Sequence, residues 1–210
     1  MLKIFLKKKD GFDYLNAGSE KIVYQHGDYV AALIPKKIIL QENEIPLIKK
    51  MRLSREWYQE TFGNEFLNQE KLIEKNNVII WMQKYQEFQD KELFYDIVKN
   101  KEKIISYFQE KTETREKLLF LFRKILEVYE KEGLIPDLFN AISLKENNPA
   151  NLYLTKENRL LFIDSHTINF DKRKTDGKKY PFARYVTGKI QDYLDNLIQS
   201  MEEIIESLSK

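Results

Sequence analysis

From Asn151 to Asp164 the chain reads NLYLTKENRLLFID, and the fold turns on how this stretch is taken. Leu152-Tyr153-Leu154 and Leu160-Leu161-Phe162-Ile163 are short apolar runs on either side of the polar residues 155–159, which is the pattern of a β-hairpin. An Asp placed directly after Leu-Leu-Phe-Ile emerges from a buried strand, where a carboxylate is costly unless it is paired or bound to a metal ion. Asp164 is therefore the first residue that packing alone does not explain.

Working towards the N-terminus, the most secure element is a helix over 112–132. There Leu118, Leu119, Leu121, Phe122, Ile125, Leu126 and Tyr129 make a wide apolar face, and Gly133 ends it. Residues 134–151 read as an irregular segment that begins Leu134-Ile135-Pro136-Asp137-Leu138. Leu93, Ile97, Ile104, Ile105 and Phe108 also recur at helical spacing from Asp90 onward. Before that point the period is that of strands. Residues 67–73 and 78–85 form one expected hairpin, and residues 21–24 and 29–34 form another across Gln25-His26-Gly27-Asp28. A single helix over 53–62, stopped by Gly63, stands between them. Towards the C-terminus, 171–179 read as loop and 190–208 as an amphipathic helix. The chain is thus expected to be α+β, with strands and one helix in 1–85 and mainly helices in 86–210.

Composition narrows the chemistry. At 210 residues and 42% hydrophobic content there is enough material for one substantial core or two small lobes. The net charge is only +2, with both signs interspersed, so no footprint for nucleic acid stands out. Cysteine is absent and His occurs twice, which excludes disulfides, a Cys nucleophile and a multi-His zinc centre. No window approaches a membrane span and no signal peptide is evident, so a cytoplasmic protein is expected, either resident there or delivered to a host cell cytosol.

Sheet plus one helix, then helices, then a loop and a hairpin bearing acidic residues is the chain order of a two-lobed protein kinase-like domain. Specific residues strengthen the likeness. Asn16-Ala17-Gly18-Ser19-Glu20-Lys21-Ile22-Val23-Tyr24 resembles the glycine-rich loop of protein kinases. Asn151-Leu152-Tyr153-Leu154, followed by Leu161-Phe162-Ile163-Asp164, is similar to that family's metal-binding Asn and the Asp of its D-F-G motif. The resemblance implies a small antiparallel-sheet N-lobe over 1–85 and a reduced helical C-lobe over 86–210. It implies ATP and magnesium as cofactors, with Asn151 and Asp164 as the metal ligands.

The family's catalytic Asp is implied at Asp137, which follows the longest helix, or at Glu146, five residues before Asn151. Both stay open. The third-strand Lys of the family is missing, and Lys21 resembles the relocated lysine of with-no-lysine kinases, with Glu56 or Glu60 as its implied partner. Gly18 and Ser19 would cover the phosphates, and the backbone at Met82 and Gln83 would read adenine. D-F-G itself stands as Asp164-Ser165-His166. The implied activity is phosphoryl transfer from ATP to a hydroxyl of a protein or a small molecule. The alternative is a catalytically weak pseudokinase that binds nucleotide or a protein partner.

Overall fold

The computed structural model describes residues 13–17, 22–35, 46–75, 78–90, 92–138, 151–169, 171, 174–185 and 189–210. It is a mixed α+β protein that divides into two compact units, Met1–Lys50 with Asn68–Gln86, and Met51–Leu67 with Glu87–Lys210.

The first unit is built on one antiparallel sheet. Its strands are β1 (Asp13–Ala17), β2 (Ile22–His26), β3 (Tyr29–Pro35), β4 (Glu70–Lys75) and β5 (Val78–Lys84), in the order β1-β2-β3-β5-β4. Both expected hairpins form. Gly27 takes φ 54° in the β2–β3 turn, a conformation that glycine adopts without steric cost. β5 is flanked on both sides, and its alternation puts Ile79 and Trp81 inside. The indole Nε1 of Trp81 donates to Glu70 Oε2 across the β4–β5 pair at 2.7 Å, so the largest side chain of the strand is satisfied as well as buried.

α1 (Leu47–Phe62) begins six residues earlier than its apolar pattern suggests. The amides of Lys49 and Lys50 both donate to the Pro46 carbonyl, at 2.9 and 3.0 Å, so the proline starts the helix. Gly63, at φ 94°, follows its last residue.

The second unit carries the main core. α2 (Lys101–Gln109), α3 (Thr112–Glu132) and α4 (Lys189–Leu208) pack on one another, and Trp57, Tyr58 and Phe62 of α1 belong to the same buried cluster. Leu118, Leu121, Phe122 and Ile125 of α3 are wholly buried, each stabilising by about 1.5–3 kcal/mol through the area it removes from water. α3 has the bounds its periodicity gives and stops at Gly133, φ 68°, where a Cβ would lie 2.9 Å from the Asp171 carbonyl oxygen. The expected C-terminal helix is present as α4.

Two expectations change here. The start of the segment read as irregular is a strand, β6 (Leu134–Pro136), and the period change at Asp90 first produces turns, so helix begins only at Lys101. The hairpin expected over 152–163 is present as β7 (Leu152–Leu154) and β8 (Leu160–Phe162), with Leu152 opposite Phe162 and all six residues buried. β6 pairs antiparallel with β9 (Thr167–Asn169), which pairs in parallel with β10 (Arg184–Tyr185). Neither β9 nor β10 is visible as a run in the sequence. No helix among the described residues is long and apolar enough to cross a membrane.

Candidate functional site

Three segments distant in sequence meet at the end of β6. Asp137 follows the strand directly, and the Leu138 amide bonds back to the Pro136 carbonyl at 2.8 Å, so the chain turns tightly around Asp137. The Asp137 amide donates to the His166 carbonyl at 2.8 Å, which extends the β6–β9 pairing by one step and fixes Asp137 against the Asp164-Ser165-His166 segment. Asn151 supplies the third segment. Its side-chain Nδ2 donates to the Asp137 carbonyl at 2.7 Å, while its own carbonyl accepts the Ile163 amide at 2.9 Å. One asparagine thereby ties the stem of Asp137 to the stem of Asp164. Its side-chain oxygen, the atom a hard cation takes, is not the atom used in the bond to Asp137.

α1 forms the floor of the cluster. Ser54, Tyr58 and Phe62 recur at i, i+4 and i+8 and lie on one buried face. The Ser54 hydroxyl donates to the Ser165 carbonyl and lies 3.1 Å from the Thr167 hydroxyl. The Tyr58 hydroxyl donates to the His166 carbonyl and accepts from the Asp137 amide at 3.2 Å. The Tyr58 ring is held edge-on by Phe162 at 4.9 Å, with Trp57 and Phe62 on its other sides. α1 can dock here because each of these polar side chains on its buried face meets a carbonyl or hydroxyl partner.

The electrostatics fit a shared anionic site. Burial pushes the Tyr58 phenol well above its ordinary pKa, and the charges of Asp137 and then Asp164 push it further, so both carboxylates act on the same hydroxyl. Asp137 is only 5% exposed and the Asp164 side chain 15%, whereas the His166 imidazole is 53% exposed, with Nδ1 3.2 Å from Asp164 Oδ1. Among the described residues no group of three or more His, Asp or Glu is placed to hold a metal unaided. Asn151 and Asp164 do present an amide oxygen and a carboxylate, the hard donors magnesium takes when phosphate and water complete its shell.

Met82 and Gln83 lie within β5, in the first unit, where Met82 is opposite Ala31 and Lys71, and Gln83 opposite Val30 and Glu70. Backbone groups engaged in ladders on both sides offer no free edge, so the adenine-reading role needs backbone outside the strand. Glu56 and Glu60 are exposed on α1. Gly18, Ser19, Lys21 and Glu146 lie outside the described residues. The residues that sequence reasoning missed are Ser54, Tyr58 and Thr167. One signal was present: a serine spaced i, i+4, i+8 with Tyr58 and Phe62 on a core-facing stripe requires a polar partner. Compared with known proteins, the chain is matched by no family model and by no curated protein.

Proposed function

We propose that this protein is an ATP- and magnesium-dependent phosphotransferase with a two-lobed kinase-like fold, transferring a phosphoryl group to a hydroxyl of a protein or small molecule. The observation that carries the reading is that Asn151 bonds the Asp137 carbonyl at 2.7 Å and accepts the amide of Ile163, the residue before Asp164, at 2.9 Å, while the Asp137 amide bonds the His166 carbonyl at 2.8 Å. The resemblance assigns roles to these three residues from positions 14 and 13 apart in the sequence, and they lie together in the fold. The two compact units differ from the lobes expected over 1–85 and 86–210, since Met51–Leu67, with most of α1, groups with Glu87–Lys210.

In this reading Asn151 and Asp164 hold magnesium, which when bound neutralises charge on the transferring phosphate. Asp137 orients the acceptor hydroxyl and takes its proton. Glu146, the other residue the resemblance allows for this role, lies outside the described residues. The resemblance gives the triphosphate to Gly18, Ser19 and Lys21, which lie outside the described residues. Acceleration comes from positioning and charge stabilisation, since this chemistry needs no covalent enzyme intermediate.

The test combines thermal shift and turnover. ATP with magnesium is expected to raise the melting temperature, the stabilisation reaching about 2.7 kcal/mol at a hundredfold excess over Kd. Asp164→Asn is expected to remove the magnesium-dependent part of that shift and abolish transfer, with the melting temperature of the free protein little changed. No shift in the wild type, or full turnover in the variant, overturns the proposal. One observation favours the second reading, a nucleotide-binding pseudokinase: Asp137 is 5% exposed, a poor position for meeting an acceptor. A wild-type shift without transfer to any acceptor would select it.

A further inference from the structure

Nothing in the kinase resemblance involves a tyrosine on the single helix that follows the first strands, yet Tyr58 is wholly buried where the Asp137 and Asp164 segments converge. Its hydroxyl is used twice. It gives its proton to the His166 carbonyl and receives the Asp137 amide, which also donates to that same carbonyl. Hydroxyl, amide and carbonyl thus close a three-membered ring of hydrogen bonds. The carbonyl has two lone pairs for two donors, and the amide is shared between two acceptors. The aromatic ring is anchored separately from the hydroxyl, by its edge-on contact with Phe162 on β8, two residues before Asp164. Tyr58 therefore touches both stems of the site at once, one through its ring and the other through its oxygen.

We infer that Tyr58 is a positioning residue that sets the separation of the Asp137 and Asp164 carboxylates by clamping their backbones, with Ser54 one turn earlier fixing the Ser165 carbonyl in the same way. The inference deepens the phosphotransferase reading and rests on it for its catalytic consequence. A hydroxyl that must donate and accept together has to stay neutral. Burial and the two neighbouring carboxylates hold it so, and Tyr58 should add no limb to a pH–rate profile.

Tyr58→Phe tests this, because it deletes the oxygen and keeps the ring packing. Two measurements separate the inference from the activity on which it draws. Amide hydrogen exchange followed by NMR needs no turnover: exchange at Asp137 should rise about tenfold in the variant while α3 amides are unchanged. Steady-state phosphotransfer should show kcat lowered by up to about 100-fold at unchanged KM for ATP, since a small misplacement of reacting groups costs rate and not affinity. Unchanged exchange at Asp137, an unchanged kcat, or a KM that rises in step with the loss overturns the inference. Loss of cooperative melting in the variant overturns it too, by making Tyr58 a folding residue first. If wild-type protein transfers no phosphate, the functional proposal fails, and the exchange measurement still decides whether Tyr58 clamps the two segments.

Discussion

Beneath α3, Leu118, Leu121, Phe122 and Ile125 are wholly buried and ask nothing of their neighbours but volume, whereas Ser54, Tyr58, Asp137 and Thr167 are about as deeply buried and each needs a partner of defined geometry. The first region contributes stability in proportion to area. In the second, every hydrogen bond replaces one formerly made to water, so its net contribution to folding is small and its yield is position. The same fold thus separates what keeps it folded from what arranges its carboxylates, and substitutions in the two regions should differ in kind.

The largest effect is expected in the apolar region. Phe122→Ala removes a ring that is 0% exposed and leaves a cavity, and should cost about 3–5 kcal/mol in a denaturant melt. A loss below about 1 kcal/mol would mean that the helices close over the gap, and the contrast between the regions would fail. In the polar region, Ser54→Ala leaves the Ser165 carbonyl short of a donor and should cost about 1–3 kcal/mol. Against that modest loss, the same variant should lower phosphotransfer more than Phe122→Ala does, compared at a temperature where both are folded. Equal loss of activity in the two variants would show that the site reads global stability instead of local geometry.

The same division explains what the sequence could and could not disclose. α3 was legible to the residue because its apolar signal repeats at every turn and its end is marked by a glycine at φ 68°. The β7–β8 hairpin was legible because both strands are apolar throughout and flank a polar turn. β9 was not. Thr167-Ile168-Asn169 has one apolar residue in three, and its polar members are buried only because Ser54 and Thr175 meet them, Thr175 Oγ1 lying 3.1 Å from Asn169 Oδ1 and 2.6 Å from the Glu132 carbonyl. Such a strand exists through partners remote in the chain, and no local pattern encodes it. The candidate site shares this character. Asp164 stood out from its strand, but Tyr58 looked like one more core aromatic, since the need for its hydroxyl lies in a carbonyl over a hundred residues away.

The outer face of α3 supplies the smallest effect and a control for both regions. Glu127 bonds Lys131 at 2.6 Å and Lys124 at 2.9 Å, and these two partners, Lys131 first, hold its carboxyl at about 2, below its usual 4.5. A pKa depressed by folding contributes stability that is present above the unfolded value and lost as pH falls through the folded one, so any contribution of Glu127 should fade between about pH 4.5 and pH 2. The Glu127 side chain is partly exposed, and ion pairs at a water-facing surface are weakened by water, salt and the entropy of two long side chains. Glu127→Gln should therefore melt with the wild type at pH 7 in molar salt, where the Debye length is about 3 Å. Any difference seen at low salt should shrink towards pH 2. A clear loss that persists in molar salt would mean that three charges on a water-facing surface act as a structural unit, and position in this protein would then be set outside its polar interior as well as within it.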